Sequence, residues 1–177
     1  MDGVRPIQTP LSIIGDISSD RSTLRNGATE YRSIVSGDLQ YLTFTRLDLV
    51  YAVNKVCQFM NKPTEFHWGL VRLILRYLKH TFTFGILLKP PTNIQLSFTA
   101  YTDSDWDGSL DDRRSTSGYC IFLGGNLISW SAHKQKTVSR SSIEVEYRGL
   151  AIVASEIMWI SSILSELQVS TKCPHVL

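Results

Sequence analysis

Residues 96–107 read LSFTAYTDSDWD, and the fold is decided there. Leu96, Phe98 and Ala100 alternate with Ser97, Thr99, Tyr101 and Asp103. That period of two places successive side chains on opposite faces of a β-strand. Downstream, GYCIFLGGNLISWSA (118–132) predicts two more strands joined by a turn at Gly124-Gly125-Asn126. Ser141 or Ser142 then opens a helical stretch to about Gln168, whose apolar line is Ile143, Leu150, Ala154, Ile157, Ile163, Leu164 and Leu167. The last residues, Pro174 to Leu177, read as the start of a further strand.

Upstream of Leu96 the character is helical. Tyr31, Ile34, Val35, Leu39 and Leu42 follow a helical spacing that Gly37 weakens. A second helix uses Leu49, Val50, Val53, Val56, Cys57 and Met60 and stops near Asn61, because Pro63 disfavours helical geometry at Lys62. Thr64 is the predicted N-cap of a third helix, Glu65 to about His80, with Trp68, Val71, Ile74, Leu75 and Leu78 on its apolar face. Arg72, Arg76 and Lys79 lie on its other face as a candidate nucleic-acid surface. TFTFGILLK (81–89) reads as a strand, and Pro90-Pro91 as a break. Residues 1–30, rich in Gly, Pro, Ser and Thr, read as a loose lead-in. The expected class is α+β: helices to about residue 80, then strands and one long helix.

Composition narrows the function. At 177 residues and 43% hydrophobic, the chain can bury a core, which excludes a collagen-like or wholly disordered polymer. A net charge of +2 sets up no global basic field. There is no run of about 18 apolar residues, so no membrane span is expected. The start, MDGVRPIQTP, lacks the basic-then-apolar pattern of a secretion signal. Cys57, Cys120 and Cys173 are too few and too scattered for a disulfide framework, which suits reduced thiols in a cytosol-like compartment. Trp68, Trp130 and Trp159 fall on apolar stripes and are expected in the core, whereas Trp106 stands in an acidic loop.

That loop, DSDWDGSLDD (103–112), holds five acidic residues in ten. One reading is a solvated charge run. A calcium loop is a second: Asp103, Asp105, Asp107 and Gly108 match its first, third, fifth and sixth positions, but Arg114 occupies the twelfth, where a bidentate Glu belongs. The third is a magnesium site, in which a strand-end aspartate meets a helix glutamate. Glu146 is the candidate partner for Asp103, because it lies beside the apolar line of the long helix; Glu144 points elsewhere.

YTDSDWDG, followed by DDRRSTSGYCIFLGGNLISWSAHKQKTVSRSSIEVEYRGLA, closely resembles the ribonuclease H domain of Ty1/copia-type retrotransposon Pol polyproteins. The stretch from TEYRSIVSGDLQYL to GILLK resembles the segment between the reverse transcriptase palm and that domain. The resemblance implies a helical reverse transcriptase segment over 31–92. It implies the N-terminal part of a ribonuclease H-like domain over 93–177, with three antiparallel strands and a long helix. Asp103 and Glu146 fall on the family's first two catalytic, metal-binding carboxylates, and Asp105 on a supporting position. The implied reaction is Mg²⁺-dependent hydrolysis of RNA in an RNA–DNA hybrid, in the cytoplasm. Arg113, Arg114, Lys134, Lys136 and Arg140 are candidate phosphate contacts; a solvated surface balancing the acidic loop is their other reading.

The family pattern also has parts that this sequence does not carry. Its third catalytic aspartate belongs to a strand beyond Leu177, and the polymerase aspartates would precede Met1. The resemblance therefore implies a catalytically incomplete piece of the polyprotein. Two smaller departures stand out: VSGDLQYL has one residue more than the family's V-G-x-L-Q-Y-L run, and Leu47 replaces the Pro of T-R-P-D.

Overall fold

A computed structural model describes residues 5, 7–11, 27–90, 96–109 and 112–176, the side chains of 172–176 excepted. The chain forms two compact units, Met1–Gly85 and Ile86–Leu177. The sequence-based line after residue 92 therefore runs inside the second unit. Most of the lead-in lies outside the described residues.

The first unit is helical: α1 (Ala28–Ser33), a π-helical stretch (Ile34–Leu39), α2 (Gln40–Leu42), α3 (Leu47–Cys57) and α4 (Glu65–His80). Tyr31, Val35 and Leu39 are fully buried with Leu49, Val53, Val56, Val71 and Ile74. Burying each such side chain contributes about 1.5–3 kcal/mol. The Tyr31 hydroxyl donates to the Val56 carbonyl at 2.8 Å, so this buried polar tip is satisfied. The π turn coincides with the extra residue of VSGDLQYL. A single added residue in an α-helix is accommodated as a π bulge, which keeps the flanking apolar residues on one face.

Local signals define α4. The Thr64 hydroxyl accepts from the His67 backbone N–H, and His67 Nδ1 accepts from the Thr64 N–H, a reciprocal cap that fixes the helix start. The His67 ring stacks on Phe59, centroids 3.9 Å apart. At the other end, Arg46 is 6% exposed and ties the start of α3 to the end of α4. It donates to Asp48 Oδ1 and Oδ2 at 2.9 and 2.7 Å, and to the Thr81 carbonyl and hydroxyl at 2.9 and 2.7 Å. Tyr77 also donates to Asp48 Oδ2, at 2.8 Å.

The second unit is a four-stranded sheet under one long helix. Its strands are β1 (Leu96–Asp105), β2 (Thr116–Leu123), β3 (Asn126–Lys134) and β4 (Thr171–Val176), in the order β3-β2-β1-β4. The first three are antiparallel, as expected, and β4 runs parallel to β1. Gly124 and Gly125, at φ 58° and 86°, make the left-handed turn of the β2–β3 hairpin. Helix α5 (Ser142–Glu166) packs over β1 and β2.

Three expectations are corrected. TFTFGILLK is not a strand: Phe82 and Phe84 are exposed and the segment joins no ladder. Its β-forming composition found no partner among the described residues, and β-propensity is realised only by pairing. The buried line of α5 is Val145, Gly149, Val153 and Ile157, whereas Ile143, Leu150, Ile163 and Leu167 are exposed. Trp159 is 60% exposed rather than core. The cause is common to the last two: α5 carries large apolar residues on its exposed side as well as its buried one, so apolar spacing does not select a face. Its length and mean hydropathy even match a membrane span, although no uninterrupted apolar run announces one. Gly149 lies on the face against the sheet. A Cβ there would stand 2.9 Å from Ser104 Oγ and 3.0 Å from Thr102 Oγ1, so a larger residue would have to displace these hydroxyls.

Candidate metal centre

Strand alternation separates the side chains of β1 into two sets. Phe98, Ala100, Thr102 and Ser104 face α5, through Val153, Ile157 and Gly149. Asp103 belongs to the opposite set, with exposed Tyr101 and Asp105. Helix α5 runs antiparallel to β1, since Gly149 meets the end of the strand and Ile157 packs beside Phe98. Its first turns therefore stand at the carboxyl end of β1. Glu146 lies there, half-buried and beside Val145 and Gly149. Pairing with β4 reaches only Ala100, so Tyr101 to Asp105 have an open edge on that side among the described residues.

The other acids nearby are already engaged. Asp105 accepts from the Thr116 N–H and closes the loop after β1. Asp107, at φ 61°, pairs with Arg113 at 2.6 Å, and that bond holds its carboxyl below the ordinary range. Partial burial pushes Asp112 up, but bonds from Lys134 and Ser109 outweigh it and leave it lowered. Glu144 accepts from Arg148 at 2.6 Å and from the Arg140 N–H at 2.8 Å. Glu156 accepts from Ser129 at 2.9 Å. Of the described acids in this unit, Asp103, Glu146 and Glu166 have no partner among the described residues, and Glu166 lies at the far end of α5.

Carboxylate oxygens are hard donors of the kind magnesium takes alongside waters and substrate phosphate, and those of Asp103 and Glu146 are unengaged among the described residues. No group of three or more His, Cys, Asp or Glu able to hold a metal occurs among the described residues.

The basic residues divide similarly. Arg113 pairs with Asp107, and Arg114 and Lys134 pair with Asp112. Lys136 and Arg140, just before α5, have side chains with no partner among the described residues. On α4, Arg72 lies over the Trp68 ring at 5.8 Å, and Arg76 donates to the Arg5 carbonyl at 2.9 Å. The indole N–H of Trp106 donates to the Ser139 carbonyl at 3.3 Å, which pins the acidic loop to the segment before α5.

Sequence reading missed a buried polar chain under these acids. Ser104 donates to Ser117 Oγ at 2.8 Å, and Gln135 Nε2 donates to the same oxygen at 2.8 Å and to the Val145 carbonyl at 3.4 Å. Ser139 donates to Gln135 Oε1 at 3.2 Å. A run of isolated small polar residues gives no periodic signal, so only the fold brings them together.

Comparison with curated proteins gives long matches. The chain is 47% identical over 173 residues to the retrovirus-related Pol polyprotein from transposon RE2 of Arabidopsis thaliana, and 48% identical over 173 residues to that from transposon RE1 of the same plant. Each match covers 98% of this chain. The chain belongs to the retrotransposon Pol polyprotein family. It spans 12% of the length of those two relatives. An uncharacterised mitochondrial protein of Arabidopsis thaliana is 48% identical over 159 residues, covering 89% of this chain and 64% of its own length. No family model matches, and no solved structure matches. As a Pol polyprotein relative, the chain pairs a helical unit with an α+β unit whose antiparallel strands and long helix are compatible with a ribonuclease H-like fold.

Proposed function

We propose that the second unit is part of a ribonuclease H-like module of a copia-type Pol polyprotein. In it, Asp103 and Glu146 share Mg²⁺ and address the phosphodiester of RNA in an RNA–DNA hybrid. The first unit is then the helical end of the reverse transcriptase. One observation carries this reading: at the carboxyl end of β1, Asp103 and Glu146 keep both carboxylate oxygens free while their acidic neighbours are tied into loops and ion pairs.

Asp103 and α5 leave the sheet on opposite faces, and the two carboxylates would hold a shared ion at the edge of β1 past Ala100, which no strand pairs with on that side among the described residues. Mg²⁺ held there supplies Lewis acidity and lowers the pKa of bound water. The protein's part is to hold two oxygen donors at that rim. Lys136 and Arg140 offset phosphate charge, and backbone shape and 2′-hydroxyls identify the hybrid. Arg113, Arg114 and Lys134 hold the acidic loop instead.

Two carboxylates bind Mg²⁺ weakly, since it demands octahedral ligands and surrenders water reluctantly. The expected behaviour of the chain alone is therefore metal-dependent hybrid binding with little cleavage. The test is a magnesium titration with a labelled hybrid, alongside Asp103→Asn. Robust cleavage that the variant abolishes would overturn the expectation of low activity. Binding indifferent to metal and to Asp103→Asn would overturn the site.

A further inference from the structure

The chain of buried hydroxyls and amide beneath the acids has a particular placement. Ser104 directly follows Asp103, and Val145 directly precedes Glu146. Ser117 and Gln135 join these two neighbours: Ser104 Oγ to Ser117 Oγ at 2.8 Å, Gln135 Nε2 to Ser117 Oγ at 2.8 Å, and Gln135 Nε2 to the Val145 carbonyl at 3.4 Å. Ser104, Ser117 and Gln135 are 8%, 2% and 6% exposed, and Val145 is fully buried. Gln135 is anchored twice more, by its own N–H to the Ser115 carbonyl at 2.8 Å and by Ser139 at its Oε1.

From this geometry we infer that Gln135 is a positioning residue for the metal pair, fixing the first turn of α5 against the end of β1 so that Glu146 and Asp103 stay in register. The inference rests on the metal-site reading proposed above. Three features support it. The linkage is buried, so its bonds are stronger and better defined than the same bonds at the surface. It links β1, β2 and α5 in one path. Gly149, one turn beyond Glu146, lets the helix touch the strand directly, so a small slip of α5 displaces Glu146 along β1. Supports of this kind around metal-bound carboxylates typically change affinity ten- to a hundred-fold when removed.

The experiment uses the full chain and Mn²⁺ as a paramagnetic probe, followed by NMR line broadening at Asp103 and Glu146. Gln135→Ala and Ser117→Ala are compared with Val153→Ala, which loosens the same helix two turns further on without touching the polar chain. Expected is a drop in Mn²⁺ affinity of about ten-fold or more in the first two, with Val153→Ala close to the parent even where its unfolding midpoint falls as far. Equal affinity losses in all three would overturn the positioning role and leave the metal site standing. Absence of broadening in the parent chain would overturn the site itself, and this inference with it.

Discussion

Asp48→Ala should destabilise the first unit more than Arg46→Met, although each removes one half of the same ion pair. The asymmetry follows from burial: the Arg46 side chain is 6% exposed and the Asp48 side chain 34%. Without Asp48, a buried guanidinium keeps only the Thr81 carbonyl and hydroxyl as partners. Breaking a buried pair this way costs about 3–5 kcal/mol; water that reaches the vacated Asp48 site places this case near 3. Without Arg46, Asp48 keeps the Tyr77 hydroxyl and gains water, while Met fills the space against the Tyr77 and Phe84 rings. The remaining loss is the Thr81 bonds, about 1–2 kcal/mol. The double variant should lie near Arg46→Met alone. Native-state hydrogen exchange of α3 and α4 amides reads this unit separately from the second. Arg46→Met costing as much as Asp48→Ala would refute the reasoning. The pH dependence has a definite sign. Burial pushes the Asp48 carboxyl up, but the bonds from Arg46 and Tyr77 prevail and lower it. A lowered folded value means that the pair's contribution is complete above the unfolded pKa of about 4 and is lost as pH falls through the folded value.

Two further predictions concern the departures from the family pattern. Leu47 is the first residue of α3, and Arg46 before it has φ −127° and ψ 86°, outside the helical region. Proline suits that first position, so Leu47→Pro should stabilise by about 0.4–1 kcal/mol in the same exchange measurement; a loss would refute it. Deleting Ser36 should convert the π stretch to α-helix with Val35 and Leu39 still buried together, although a deletion in an ordinary helix rotates the following residues by about 100°. A loss above about 1 kcal/mol would show that the π turn is not an absorbed insertion.

Helix ends and turns were legible because single residues encode them. Thr64, with His67 three residues on, fixes the start of α4, and Gly124-Gly125 fixes the hairpin. Positions of Asp103 at a strand end and Glu146 in the first turns of a helix followed from those boundaries. The face of α5 was not legible, because Ile143, Leu150 and Met158 are as apolar as Val145, Val153 and Ile157. Gly149 lies on the buried face, where a Cβ would crowd Ser104 and Thr102, a contact effect that hydropathy does not register. The strand misread over Thr81–Lys89 failed for the complementary reason: its residues suit a ladder, but pairing is decided by the rest of the fold. The link from Ser104 through Gln135 to Val145 depends on residues far apart in the chain, and no local pattern foretells it.

Asn126, at the turn of the hairpin, has a consequence for where the second unit can be severed. Its side-chain amide accepts from the Lys89 N–H at 2.7 Å and donates to the Lys89 carbonyl at 2.8 Å, offering the donor–acceptor pair that a neighbouring strand would. One side chain thus replaces one rung of a sheet for a segment that has no sheet. A domain excised at Leu96 would leave this amide facing solvent and free the hairpin to fray, whereas one beginning at Ile86 carries its own clasp.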